Sequence, residues 1–188
     1  MRKKIGIDID GTVTSPSSLI PYINEKFQRE LTLDQLTQYD LATLLEIDPT
    51  EFKKWYQSVE AEIYENSPIV EGALEVLKKW AEVADLYFIS ARPKSVLEVT
   101  KAWLVKEGVP HHHIELIGSH HKVETAKRLG VSLFLEDKHD NAVDISNECG
   151  IPVILFSTPY NQDPIPDSVL RMSSWEEADE FFQGWVTT

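Results

Sequence analysis

The sequence predicts an α/β fold: a Rossmann-like parallel sheet with helices on both faces and a small helical cap inserted after the first strand. Short apolar runs bounded by turn residues recur along the chain, and helix-period stretches separate the later ones. The first interval between runs is far longer than a simple crossover requires.

Residues 5–9 read as a buried strand. About 75 residues follow before the next such run, where a crossover needs about a dozen. Within that interval Thr32-Leu33-Asp34-Gln35 has capping-box spacing. Asp48-Pro49-Thr50-Glu51 joins an N-cap candidate to proline at the first helical position and an acidic third residue. Phe52, Trp55, Tyr56, Val59 and Ile63 then form one helical stripe. Ser15-Pro16-Ser17-Ser18 and Asn66-Ser67-Pro68 are the turn-rich connections, and two such linkers read as a hinge. The expected division is a catalytic core over 1–14 and 69–188 and a helical cap over 15–68.

Beyond the insertion, helices are expected over 70–81, 94–107, 122–129 and 141–148, alternating with strands over 86–89, 114–117, 133–135 and 153–156. The tail over 175–185 reads as an amphipathic helix with Trp175, Ala178, Phe181, Phe182 and Trp185 on one side.

With 188 residues, 42% of them hydrophobic, the chain can bury one core of ordinary size, which excludes intrinsic disorder. A formal charge of -13 disfavours polymeric nucleic acid and anionic membranes as partners. Small anions are a separate matter, decided by local charge and metal. Cys149 is the only cysteine, so no internal disulfide is expected and a cytoplasmic location fits. Met1-Arg2-Lys3-Lys4 runs into Ile5-Gly6-Ile7-Asp8, whose carboxylate interrupts any signal-like apolar region, and no apolar run is long enough to span a membrane. No feature points to an oligomer.

Side chains alternate along a strand, so Asp8 and Asp10 are expected on one side where the first strand ends and Gly11 turns the chain. In open parallel sheets ligands bind outside the carboxyl ends of the strands. The other strands end in Ser90-Ala91-Arg92, in Ser119 with Lys122 opening a helix, and in Glu136-Asp137. Each alone is a common turn or cap residue, but together they occupy one sheet edge. Asp8, Asp10, Glu136 and Asp137 would repel one another and any phosphate without a cation among them. Oxygen donors without histidine or thiolate favour a hard ion, most simply Mg²⁺. A carboxylate beside such an ion can attack phosphorus, with Ser90, the following backbone amides and Lys122 balancing phosphate charge.

Asp8-Ile9-Asp10-Gly11-Thr12, Ser90, Lys122 and Glu136-Asp137, in that order, resemble the four motifs of the haloacid dehalogenase-like superfamily. The resemblance implies that Asp8 is a nucleophile that becomes an aspartyl phosphate. Asp10 would protonate the leaving alcohol and then activate water. Mg²⁺ would sit on the Asp8 carboxylate, the Asp10 backbone carbonyl and Asp137, with Glu136 in the outer shell. Ser90, the Ala91 backbone amide and Lys122 would bind phosphate. Asp10 also favours a phosphatase, since the superfamily's dehalogenases lack that aspartate and its phosphotransfer ATPases carry threonine there.

Phe88-Ile89-Ser90-Ala91-Arg92-Pro93, Leu135-Glu136-Asp137-Lys138-His139-Asp140-Asn141-Ala142, the run from Ile151 to Phe156 and Pro159-Tyr160-Asn161 resemble the deoxyribonucleotidase type of 5'-nucleotidase and its bacterial nucleotidase relatives. That group carries a small helical cap after its first motif. The implied activity is hydrolysis of nucleoside 5'-monophosphates. Glu136 departs from the aspartate usual there. A phosphatase of a sugar phosphate or another small phosphometabolite, and a silent phosphate-binding module, stand as alternatives.

Among the remaining residues, Phe27, Trp55, Tyr56 and Tyr64 could stack on a base, but packing inside the cap is the simpler role for the striped pair. His111, His112, His113, His120 and His121 lack the spacing of a transition-metal site and read as solvated. His139 either orients a carboxylate or merely starts a helix. Arg92 reaches either substrate phosphate or a neighbouring acid. Asp140 and Asn141 read as helix caps within reach of the acidic pair, and Thr12 as a brace for the turn.

Overall fold

The structure is a computed structural model and describes residues 2–187; Met1 and Thr188, which close the expected core segments, lie outside the described residues. Six strands form one parallel sheet: β1 (Lys3–Ile7), β2 (Ala84–Ser90), β3 (His113–Leu116), β4 (Leu133–Glu136), β5 (Val153–Phe156) and β6 (Val169–Met172). Their order is β3-β2-β1-β4-β5-β6. The chain builds outward from β1 through β2 to β3, then crosses back to β4 on the other side. This reversal opens a crevice at the carboxyl ends of β1 and β4. The register pairs Ile7 with Leu135, so the residues that follow each, Asp8 and Glu136, emerge side by side.

β1 begins and ends two residues earlier than the apolar run predicts. Its start absorbs Lys3 and Lys4, whose stems run along the sheet and whose ammonium groups donate to Trp185 O (2.8 Å) and Leu129 O (2.9 Å) near two helix C-termini. Its end comes at Ile7 because the Ile9 carbonyl is taken by a turn, accepting from Val13 N–H and Thr14 N–H, both at 2.9 Å. Asp10 therefore projects from that turn, and strand alternation does not set its direction. β6 is an addition to the expected strands. It is a four-residue edge strand behind a turn in which Val169 N–H donates to Pro166 O, too short to carry a pattern of its own.

The insertion holds α1 (Ile20–Phe27), α2 (Leu41–Leu44) and α3 (Pro49–Asn66). The Asp48 carboxylate accepts from Thr50 N–H and Glu51 N–H at 3.0 Å, so α3 starts where the proline and cap place it. The capping box at Thr32 also forms in part, with Thr32 N–H donating to Gln35 Oε1 at 2.9 Å. It opens only the single 3-10 turn Leu33–Gln35. Ile23, Leu45 and Trp55 centre a small core of the insertion's own, in which the Phe27 and Trp55 rings lie 4.9 Å apart. The far end of α3 packs Ile63 and Tyr64 on Val96 and Leu116. The two connections are joined to each other: Thr14 and Ile69 form an antiparallel bridge, Ser15 N–H donates to Pro68 O (2.8 Å) and Val70 N–H to Val13 O (2.9 Å).

The five helices of the core are α4 (Ala73–Val83), α5 (Leu97–Lys106), α6 (Val123–Leu129), α7 (His139–Cys149) and α8 (Trp175–Val186). α4, α5 and α8 bury Trp80, Trp103 and Trp175 against Ile5, Ile7, Leu86, Phe88 and Leu135. α6 and α7 cover the opposite face through Ala126, Ala142 and Ile145 on Phe134, Val153 and Leu155. On that face Gly6 gives β1 no side chain, and the Phe134 ring fills the space; a Cβ there would lie 2.3 Å from the ring. Burying apolar surface on both faces stabilises the sheet and leaves its carboxyl edge as the place where polar groups can gather. Among the described residues no helix is long and apolar enough to cross a membrane.

Candidate active site

Asp8 follows β1 and its N–H still donates to Leu135 O, which fixes its carboxyl group at the mouth of the crevice. Lys122 stands just before α6, fully buried, with Nζ 2.7 Å from Asp8 Oδ1 and 3.1 Å from Glu136 Oε1. Carboxylate oxygens of Asp8, Glu136 and Asp137 all lie within 4.8 Å of one another. The three carboxylates, expected from two neighbouring strand ends, therefore meet in one buried cluster, with a single ammonium paired to Asp8 and Glu136.

The two acidic neighbours after β4 are used differently. Glu136 is enclosed by donors: Lys122 and Asn141 donate to Oε1, and Asp137 N–H to Oε2. Asp137 Oδ2 accepts from the Tyr160 hydroxyl, while its Oδ1 is buried without a hydrogen-bond partner. Burial, then the charge of Glu136, raises the Asp8 carboxyl well above its ordinary range despite Lys122. The same two causes push Asp137 up to about 8. For Glu136 burial acts against ionisation, but Lys122 and the hydrogen bonds outweigh it and hold the carboxyl below its usual range. Lys122 likewise keeps its proton against burial because two carboxylates face it.

Ser90 ends β2 fully buried, its Oγ accepting from Arg92 N–H at 3.2 Å, with half-buried Ala91 between them. Asp10 is not drawn into the carboxylate cluster. Its two oxygens accept from Arg92 Nη2 (2.7 Å) and Nε (2.9 Å), which settles Arg92's partner as an acid of the chain itself. Gly11 lies between these sites with φ +75°. A Cβ there would stand 2.2 Å from Asp137 Oδ2, so the turn can approach the cluster only with glycine.

A cavity of about 480 Å³ opens beside Asp10, Gly11 and Asp137 and is closed on the other side by Tyr39, Tyr56 and Tyr64 of the insertion. That volume suits a small organic ligand. Tyr56 and Tyr64 share a 2.8 Å hydroxyl contact, and the Tyr64 ring face carries the Arg92 guanidinium at 3.8 Å. Phe27 and Trp55 pack with Phe52 in the insertion's own core, and of the three only Phe52 also reaches the cavity wall. His112 accepts from Leu86 N–H, His113 contacts Glu115, and His139 Nε2 meets Pro164 O. Among the described residues no histidine joins the acidic cluster.

Three contributors have no role assigned by the sequence, although two of them lie in a run that carries the family resemblance. Tyr160 holds the Asp137 side chain, and Asn161, fully buried, donates to Asp137 O (2.6 Å) and Phe156 O (2.7 Å). Tyr39 sets its ring 4.8 Å from Lys138 Nζ and edge-on to Tyr160. The signal for the first two was present in Pro159-Tyr160-Asn161, a turn-forming run straight after a strand.

Comparison with known proteins agrees with this geometry. A protein of Halalkalibacterium halodurans named "Putative nucleotidase" is 44% identical over 185 residues, covering 98% of this chain and 95% of its own. A nucleotidase of Clostridium acetobutylicum is 31% identical over 173 residues, covering 92% and 90%. Among solved structures, a haloacid dehalogenase-like hydrolase of Streptococcus pneumoniae superposes with a TM-score of 0.70 over 96% of this chain and 98% of its own, at 13% identity, which shows the shared fold. The family model described as 5' nucleotidase, deoxy (pyrimidine), cytosolic type C matches residues 2–185. The chain thus belongs to that nucleotidase family, a group of phosphoric monoester hydrolases built on the haloacid dehalogenase-like fold.

Proposed function

We propose that the protein is a Mg²⁺-dependent phosphomonoesterase that hydrolyses nucleoside 5'-monophosphates through an aspartyl phosphate on Asp8. The observation that carries this reading is the buried cluster of three carboxylates around one ammonium, beneath a cavity of ligand size. Three carboxyl groups face one ammonium, so full ionisation needs a further cation, and the partnerless Asp137 Oδ1 is an oxygen donor open to one. A hard divalent ion fits an all-oxygen donor set, and Mg²⁺ would be held by the Asp8 and Asp137 carboxylates with the Asp10 backbone carbonyl. Glu136, already surrounded by donors, suits an outer position. When bound, the ion supplies charge neutralisation for the approaching phosphate.

In the first step an Asp8 oxygen forms a bond to phosphorus as the bond from phosphorus to the alcohol oxygen breaks. The electron pair goes to that oxygen, which takes a proton from Asp10. In the second step water gives a proton to the Asp10 carboxylate and attacks phosphorus. The bond from phosphorus to Asp8 breaks, so Asp8 returns as a carboxylate and inorganic phosphate leaves. Ser90, the Ala91 N–H and Lys122 hold phosphate oxygens throughout. Segment 15–68 acts as the cap over a core of 1–14 and 69–188, excluding bulk water when closed. The family, and tyrosine rings along the cavity wall, favour a nucleotide there over a sugar phosphate. The enzyme acts in the cytoplasm.

Turnover of a panel of nucleoside monophosphates against a panel of other phosphometabolites, each with and without chelator, tests the reading. Preference for nucleotides, lost with chelator, is expected. Flat nucleotide rates beside rapid turnover of a sugar phosphate would move the assignment to that class.

A further inference from the structure

Arg92 has no role in the chemistry above, yet it is as deeply enclosed as Lys122. Its side chain is 0% exposed. Each nitrogen of the guanidinium has an acceptor, and one flat face is covered. Nε and Nη2 form a fork on the two Asp10 oxygens, Nη1 donates to Thr100 Oγ1 of α5 at 3.0 Å, and the flat face lies 3.8 Å from the centre of the Tyr64 ring on α3. Its own backbone N–H is tied to Ser90 Oγ. Asp10, by contrast, is 44% exposed and borders the cavity.

We infer that Arg92 is a positioning residue for Asp10, setting the plane and direction from which that carboxyl group exchanges a proton with the leaving oxygen. This rests on the reading of Asp10 as the acid and base. A carboxyl group on an exposed turn swings freely about its side-chain bonds, and a displacement of about 1 Å can cost a proton-transfer group about a hundredfold in rate. A planar fork removes that freedom, because the carboxylate must lie in the guanidinium plane to meet both N–H groups. The fork uses one lone pair on each oxygen and leaves the others open to the cavity. The guanidinium is itself held from both sides: Thr100 belongs to the core and Tyr64 to the insertion. Placement of the insertion on the core therefore completes the clamp on Asp10. Lysine cannot replace this geometry, since an ammonium is a point charge without a plane.

The test compares kcat/KM for a nucleoside monophosphate, whose alkoxide must be protonated to leave, with kcat/KM for p-nitrophenyl phosphate, whose phenolate leaves unaided. This ratio reports phosphorylation of the enzyme alone. Arg92→Lys is expected to lose about a hundredfold on the nucleotide and under about tenfold on the aryl ester. Added to Asp10→Asn, it should cost nothing further on the nucleotide. Thr100→Val, which frees only Nη1, should show the same substrate pattern at smaller size and covers the case in which Arg92→Lys does not fold, as judged by its melting curve. Equal losses on both substrates, or losses that multiply with Asp10→Asn, would overturn the inference and make Arg92 a phosphate-binding or purely structural group. Should Asp10→Asn itself keep full nucleotide activity, the reading of Asp10 falls and the inference with it.

Discussion

Gly11 shows how tightly single residues are specified at this site. Its φ of +75° and the 2.2 Å approach of a notional Cβ to Asp137 Oδ2 leave no room for alanine. Gly11→Ala is expected to lower stability by about 1–2 kcal/mol from backbone strain alone. It should also displace Asp137, and a melting curve with a Mg²⁺ titration would read both losses. Tyr160→Phe is the milder companion. It removes the donor to Asp137 Oδ2 while keeping the ring, so the fold should persist and Mg²⁺ affinity, measured by calorimetry, should fall about 10- to 100-fold. The cluster of Asp8, Lys122, Glu136 and Asp137 was legible in the sequence because each residue ends a strand or opens a helix on one sheet edge. The partnerships of Arg92 with Asp10, 82 positions away, and of Tyr160 with Asp137, 23 away, were not. Turns and loops bring those pairs together, and no periodicity records it.

The elements divide in a similar way. α3 was legible because its proline, its cap and its apolar stripe agree with one another. Asp48→Ala is expected to cost about 1 kcal/mol by leaving two N–H groups at the helix start without an acceptor, read as a lower melting temperature with unchanged kinetic constants. α1 and α2 are short, and in α2 the Asp40 carboxylate, caught by Thr43 and lowered from its ordinary range, supplies the cap that its length cannot. The cap at Thr32 carried the same signal but opens only a 3-10 turn, since Leu36 leaves the helical region immediately after it. A capping sequence starts a helix only where an apolar face follows to be buried.

At the scale of the whole molecule, the charge of -13 takes on a local meaning. Part of it is concentrated in the buried carboxyl groups of Asp8, Glu136 and Asp137, where the proposed Mg²⁺ would balance it. The same concentration makes the metal-free fold sensitive to pH. Asp137 has its carboxyl raised from the ordinary 3.8 to about 8 by burial and Glu136, so the folded chain keeps a proton that the unfolded chain has lost. Stability from this group is full below about pH 4 and is lost as pH rises through about 8. In chelator, the melting temperature is expected to fall across that window. The proposed Mg²⁺ would take the place of the proton and should raise the melting temperature more at the alkaline end than at the acid end; a Mg²⁺ increment that is the same at both ends would count against the site. The proposed chemistry turns on Asp8 taking up the phosphoryl group. Acid quenching of the enzyme during turnover of a substrate labelled in its phosphate tests this directly. Covalent label is expected on the peptide containing Asp8, released by hydroxylamine and absent from Asp8→Asn. Full turnover without protein-bound label, together with an active Asp8→Asn, would contradict it.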